Sequence, residues 1–432
     1  MRRLERLDPN LALAAAAASV VGLEAAYRTW TSDAWLLLEA LAAAAALLHA
    51  WRRQDRLRLV SVLTIVAALP LALVGVHWLF DVMGDKDTSV VFRWQGNGLR
   101  RGDYPRSEYP VGAVLLFGLE AWVGGGATRW ANALLMVPFA VLVAGCVWLT
   151  RLPYAPWLAA VVGLWPANAY YWQYKFDLVP AALLALGLLL ALRGRWGLAG
   201  VAFAAGTLVK WTPALAFVAL LAWLVASRRG REAVRLVVAF GGALLAVYVP
   251  FLLWDADHVL AAYSRQSGRS ITPESVWYLL LRPFDLARVR THISFSAGAP
   301  DWADAGATVA QLTLVLAVVV VAARAHEVRA AVAAAALAPV VFLLTNRIFS
   351  PQFVLVAFAG WAIAAALVVR TRREQLWVGV AMGAAAVGNQ FVYPFALPEY
   401  DRTWVLSSAV LFGVGLALTA WLARRAASER RV

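Results

Sequence analysis

One feature limits the possible folds more than any other: long apolar runs recur along nearly the whole chain. "LVSVLTIVAALPLALVGVHWLF" at 59–80 is representative, and about a dozen such runs of roughly 15–23 residues follow one another between short polar breaks. About 20 apolar residues in a helix cross a hydrocarbon core of ~30 Å, and soluble core helices rarely repeat that length so often. Composition agrees, with 62% hydrophobic and 15% charged residues, against roughly half and a quarter in soluble domains. The chain therefore reads as an all-α polytopic membrane protein, a single integral-membrane domain over residues 1–432 with no soluble domain. "MRRLERLDPN" is a basic start, but "LALAAAAASVVGLEAAY" runs into further spans with no clear cleavage site, so a retained helix is expected there.

The net charge of +14 would suggest nucleic acid only if the cations shared one soluble face. They cluster instead in short loops, such as "RRQDRLR" (52–58), "RGR" (193–195), "RRGRE" (228–232) and "RTRREQ" (370–375), the pattern of cytoplasmic loops in a polytopic protein. No nucleic-acid partner is expected. The single cysteine, Cys146, lies in an apolar run and leaves no intrachain disulfide or cysteine-based metal site. Anchoring the arginine loops inside puts both termini in the cytoplasm of an inner or plasma membrane. Segments 81–109 and 255–305 then lie outside as the two largest extramembrane pieces, and 1–58 supplies the first two helices. Region 110–174 contains three apolar runs where an even number of crossings is required, so one is short, re-entrant or fused with a neighbour; the expected total is 12–14 helices.

This sidedness gathers the unusual polar residues on the outer face: Asp81, Asp85, Lys86, Asp87, Asp103 and Glu108; Lys175 and Asp177; Lys210; Arg265, Arg269 and Glu274; Asn346, Arg347 and Gln352. Of 39 basic residues only Lys86, Lys175 and Lys210 are lysine, and all three fall there. Snorkelling to headgroups explains such residues one by one. It does not explain acids and bases from five distant segments meeting on one side, since ionisable groups at membrane depth are costly and line cavities or substrate paths. The five histidines are scattered, and neither a phosphate-binding glycine loop nor a nucleophile elbow occurs. Carboxylates beside cations at a membrane surface suit group transfer from a lipid phosphate. A carboxylate takes the proton of the attacking hydroxyl, and cations hold the departing phosphate.

Residues 87–117, "DTSVVFRWQGNGLRRGDYPRSEYPVGAVLLF", resemble the first outer loop of the GT-C membrane glycosyltransferases. The likeness is greatest to the family-87-like group that includes polyprenol-phosphomannose-dependent mannosyltransferases. "YKFDLVPAALLALGLLLALRGRWGLAG" (174–200), "GTLVKWTPAL" (206–215), "SGRSITPESVW" (267–277) and "NRIFSPQFVL" (346–355) follow in the family's order. The resemblance implies a GT-C fold, a polyprenyl-phosphate sugar donor with mannose the expected sugar, and a glycolipid or cell-envelope glycan acceptor on the outer face. It implies Asp87 as general base, with Asp85 its rival; Lys210, Arg347, Lys175 and Arg269 on the donor phosphate; and Glu108, Tyr109, Asp177 and Gln352 on sugar hydroxyls or bracing the cations. No cofactor or metal is expected, although Asp85 and Asp87 offer a place for Mg²⁺ with phosphate oxygens. The sequence departs from the family at Val111, which replaces a proline, at Phe92, near the place of a tyrosine, and at Lys175, which replaces an arginine.

Structural explanations stand beside each assignment. Asp85 or Asp87 can cap a helix, Lys210 precedes a helix that Pro213 can start, Arg347 can snorkel, and Asp177 can simply pair with Lys175. Trp94, Trp211 and Trp277 are stacking candidates among tryptophans that otherwise suit an interfacial belt. The competing function is a transporter or flippase for a lipid-linked or anionic substrate; a non-catalytic scaffold is the third.

Overall fold

In the computed structural model the described residues are 7–30, 34–80, 87–125, 128–165, 171–172, 174–289, 296–395 and 402–428. Among them every element is helical. The α-helices are α1 (Pro9–Trp30), α2 (Ala34–Arg52), α3 (Leu59–Leu79), α4 (Arg93–Arg100), α5 (Val111–Gly124), α6 (Thr128–Trp148), α7 (Ala155–Leu164), α8 (Leu178–Leu192) and α9 (Trp196–Val209). They continue as α10 (Pro213–Ala226), α11 (Gly230–Ser267), α12 (Val276–Leu281), α13 (Asp301–Ala323), α14 (Val328–Leu344), α15 (Val354–Val368), α16 (Arg372–Gln390) and α17 (Arg402–Ser428). Eight of the described helices are long and apolar enough to cross a membrane, and six further apolar helices have 10–17 residues.

The middle of the bundle is α15, buried along its whole length, with α14 and α8 against it. The alanine tract "AAVAAAALAP" of α14 works by smallness: a Cβ on Gly360 of α15 would come within 2.6 Å of the Ala336 carbonyl oxygen. Small residues on both partners let the backbones approach, the packing that helices use where no hydrophobic effect drives them together. Prolines inside helices, at Pro70, Pro138, Pro250 and Pro339, are tolerated in such bundles because neighbouring groups re-satisfy the freed carbonyls.

Contacts define two ends. At one end sit the arginine-rich loops. Trp157 Nε1 donates to the Leu47 carbonyl (2.7 Å), Tyr154 Oη to Arg370 O (3.0 Å), Arg193 to Leu149 O (3.1 Å) and Trp223 Nε1 to Ala325 O (2.9 Å). At the opposite end lie Lys175, Asp177, Lys210 and the 346–353 connection.

The three apolar runs of 110–174 all form helices, and α5 is the odd one. Its first turn meets the end of α9, where a Cβ on Gly112 would lie 2.7 Å from the Leu208 carbonyl oxygen. Its last turn meets the start of α6, with Gly124 against Ala131, and the next residue, Asn132, donates to the Lys175 carbonyl at 3.4 Å. Both ends of α5 therefore stay at the polar end, and the helix lies across it. Setting α5 aside leaves, among the described residues, an even number of apolar helices, α1–α3, α6–α11 and α13–α17.

The segment 255–305, expected outside the membrane, carries helical stretches at both ends and over Val276–Leu281. Helix α11 breaks at Asp255 (φ −154°, ψ 82°) and restarts at once, continuing to Ser267. The Asp255 carboxylate accepts the His258 backbone N–H at 3.1 Å, as an N-cap does, which is why a polar residue at the break renews the helix rather than ending it.

Candidate functional site

Several helices stop short at the polar end. Helix α9 ends at Val209 and α14 at Leu344, while α8 starts only at Leu178, α10 at Pro213 and α15 after a 3-10 turn at Pro351–Phe353. Irregular backbone is tolerated at membrane depth only where protein buries it or it lines a cavity. Each of these late starts follows a cation: Lys175 stands three residues before α8, Lys210 three before α10, and Arg347 four before the Pro351 turn. The free N–H groups and positive dipole end of each helix add to the charge of the side chain, so all three segments favour an anion.

Lys210 is held, not loose. Its Nζ is 2.5 Å from Asp177 Oδ1, and the Asp177 side chain is 0% exposed against 18% for Lys210. The Phe353 ring centroid is 4.1 Å from the same ammonium and that of Phe176 is 5.5 Å away, so two aromatic faces complete the cage. Asp177 therefore pairs with Lys210, although Lys175 is nearer in sequence. Its second oxygen, Oδ2, is buried and has no hydrogen-bond partner, leaving one acceptor site turned inward. Lys175 is itself buried.

Four aromatic rings fix the first outer loop to this pair. Phe92 stacks on Phe117 (4.2 Å between centroids, 7° between planes) and meets Phe176 edge-on at 5.5 Å. Tyr109, from the other end of the loop, lies 5.3 Å from Phe176 and 6.1 Å from Phe92. The loop is braced internally by the Ser107 hydroxyl donating to Gln95 Oε1 at 2.8 Å. Asp87 opens the π-helical turn Asp87–Phe92 that ends in this block, and its side chain lies outside the described residues. Asp85 and Lys86 lie outside the described residues.

The second outer segment clasps the first. His258 Nδ1 lies 3.1 Å from the Tyr104 carbonyl and 2.8 Å from Asp255 Oδ2; with two acceptors in reach, this nitrogen carries the hydrogen. Arg265 donates to Arg106 O (3.4 Å), Gln266 to Glu108 O (3.3 Å), and Arg269 pairs with the Glu108 carboxylate at 3.6 Å. Arg269 is thus a bridge between the two segments. Thr272, three residues on, donates its backbone N–H to the Arg347 carbonyl at 2.8 Å, so the same clasp reaches Arg347. Gln352 accepts the Ser350 hydroxyl at 2.5 Å.

Of the expected site residues, Lys175, Asp177, Lys210 and Tyr109 come together around Phe176, and Glu108 with Arg269 forms a second group linked to Arg347 through Thr272. Trp211 stacks on Tyr263 (4.9 Å), Trp277 donates to the Thr345 carbonyl (2.7 Å), and Trp94 is exposed. Phe176, Phe353 and Thr272 carry no charge and give no sequence signal. Glu274 takes no role from sequence alone, yet burial raises its carboxyl above the ordinary value of 4.5, opposed by its own backbone N–H and by Arg269. Tyr104 is likewise raised by burial first and by Tyr263 and Asp255 second. No protein-family model matches the chain, and no curated protein matches it.

Proposed function

We propose that this chain is a membrane glycosyltransferase of the GT-C type that moves a sugar from a polyprenyl phosphate to a lipid or glycan hydroxyl, with inversion. The observation that carries the reading is the caged Lys210–Asp177 pair with the first outer loop docked on it through Phe92 and Tyr109. Residues far apart in sequence build one ionic cluster at one end of an apolar bundle. On the reading that the arginine-rich end faces the cytoplasm, from the distribution of basic loops, this cluster faces outward.

In this reaction Asp87, or Asp85 beside it, takes the proton of the acceptor hydroxyl. The acceptor oxygen bonds to the anomeric carbon from the face opposite the phosphate. The carbon–oxygen bond to phosphate breaks, and its electron pair leaves with the phosphate oxygen as polyprenyl phosphate. Arg347 and Lys175, with the N-termini of α8, α10 and α15, stabilise that charge. Lys210 contributes less than a bare ammonium would, because Asp177 already balances it. Glu108 offers an acceptor to sugar hydroxyls, while Asp177, fully buried, braces Lys210. A phosphate departs without protonation, so one carboxylate is sufficient.

The test uses purified protein in lipid nanodiscs with a polyprenyl-phosphate sugar donor. Asp87→Asn or Asp85→Asn is expected to lower turnover by ~10²–10⁴, the range for loss of a general base. Full activity in both variants ends the base assignment. Movement of intact donor across a vesicle bilayer with no sugar transfer would replace the enzyme with a flippase.

A further inference from the structure

The connection between α14 and α15 is held in an unusually regular way. Its alternate carbonyls are each taken by a side chain or backbone group from elsewhere in the chain. Trp277 Nε1 donates to Thr345 O at 2.7 Å, Thr272 N–H to Arg347 O at 2.8 Å, the Thr272 hydroxyl to Phe349 O at 3.1 Å, and Asn389 Nδ2 to Pro351 O at 3.0 Å. The donors come from two flanks: Thr272 and Trp277 from the second outer segment, Asn389 from near the end of α16. Within the connection, Asn346 Oδ1 accepts the Ile348 N–H at 2.9 Å. Thr272 and Asn389 are both buried, at 3% and 0% exposure. Asn389 Nδ2 also donates to Tyr171 Oη at 3.0 Å, and that hydroxyl donates to Tyr393 O at 2.7 Å, which fixes the orientation of the amide.

We propose that Thr272 and Asn389 are positioning residues for Arg347, clamping the 345–353 connection from both sides so that its guanidinium is set in place before an anionic donor arrives. This rests on the donor-phosphate reading of Arg347. The physical basis is that a connection with no helix of its own would otherwise have to be ordered at the moment of binding. Ordering it in advance removes that cost from the binding step. The same clamp fixes Phe353, whose ring covers the Lys210 ammonium, so the positions of two cations depend on it. Thr272 follows Arg269, which pairs with Glu108, so three residues of backbone connect the first outer loop to the Arg347 carbonyl.

Thr272→Val keeps the backbone bond to Arg347 O and removes the hydroxyl, which lies 3.1 Å from Phe349 O and 3.4 Å from Arg347 O; Thr272→Ser restores it. Asn389→Leu removes the opposite flank. The expected result is a roughly tenfold rise in donor KM for Thr272→Val and for Asn389→Leu, a smaller change in kcat, and near wild-type values for Thr272→Ser. In an Arg347→Ala background neither substitution raises KM further, because the residue being positioned is gone. Amide exchange across 346–353 is expected to quicken in both single variants, a readout that needs no activity. Equal KM effects with and without Arg347, or a Thr272→Ser variant as impaired as Thr272→Val, overturn the proposal. Should Asn389→Leu fail to fold, the Thr272 pair decides alone. Faster exchange in a wild-type background that transfers no sugar would leave the clamp standing, remove the donor reading, and with it the phosphate-holding role of Arg347. Unchanged exchange in Thr272→Val removes the clamp while leaving the donor reading untouched.

Discussion

The two ends of the bundle carry cations in opposite ways. At the arginine-rich end, side chains close the helices: indole, phenol and guanidinium groups donate to carbonyls near helix C-termini, and Arg228, Arg229, Arg372 and Arg373 are exposed. Charge there is cheap because headgroups and water solvate it. At the opposite end, cations stand before helix N-termini, where the local dipole repels them; Lys175 is buried, and Lys210, 18% exposed, is paired with a fully buried carboxylate. The Asp177 carboxylate at the N-terminus of α8 offsets that repulsion for Lys210, and the proposed donor phosphate would add a second negative charge.

The largest expected effect breaks this contrast at its strongest point. Asp177→Leu alone leaves a caged ammonium without its counter-charge, and a buried pair broken from one side costs about 3–5 kcal/mol. Replacing both partners, Asp177→Leu with Lys210→Met, is expected to recover most of that stability and none of the proposed transferase activity. The matching substitution at the other end, Arg425→Ala, removes a partly exposed pair with Glu374 and is expected to cost ~0–1 kcal/mol. Thermal unfolding in detergent, with turnover measured beside it, compares all four proteins. If Asp177→Leu is no worse than Arg425→Ala, the two ends do not differ as claimed.

The next effect concerns how the first outer loop is attached. Phe92→Ala removes a ring packed against Phe117 and Phe176, and such truncations cost ~3–5 kcal/mol where the site cannot collapse. In this loop part of the loss is absorbed by release of the segment, so a smaller fall in global stability is expected together with faster amide exchange in α4. Leu→Ala on the exposed face of α11, for example Leu253→Ala, is expected to change neither.

The sequence announces the frame of this molecule more clearly than its site. Apolar runs of spanning length mark the helices because the bilayer imposes length and composition together, and prolines at 180, 213 and 351 mark places where helices begin. The three lysines stand out because arginine is the rule elsewhere. The cage around Lys210 was not legible. Phe176 and Phe353 are two aromatic residues in a chain rich in them, and only the meeting of α8, α10 and α15 puts both against one ammonium. The pairing of Asp177 was open for the same reason, since proximity in sequence favoured Lys175. Asn389 sits in "VGNQF" within a run that reads as a span, and its bond to Pro351 O depends on a neighbour 38 residues away. Polarity set 255–305 apart as an outer segment, but the helix restarted by Asp255 within it depends on a backbone break that composition does not mark.

The smallest expected effect sharpens the comparison through pH. Burial raises the Glu274 carboxyl above 4.5, so the folded protein holds that proton more tightly than the unfolded chain does. The resulting stability is complete below 4.5 and declines as the pH rises through the folded-state value, because ionising the group then costs more in the native protein than in the open chain. Glu274→Gln keeps the shape and deletes the proton equilibrium. Its unfolding temperature is expected to show a flatter pH dependence than wild type above 4.5, with the variant gaining relative to wild type as the pH increases. Arg269→Ala pushes the other way: it removes a charge that favours the ionised form, so the wild-type decline is expected to steepen and move to higher pH. A Glu274→Gln variant whose pH profile overlays the wild type would mean that this acid is solvated, and that the polar end is wetter around the second outer segment than the clasp between Arg269 and Glu108 implies.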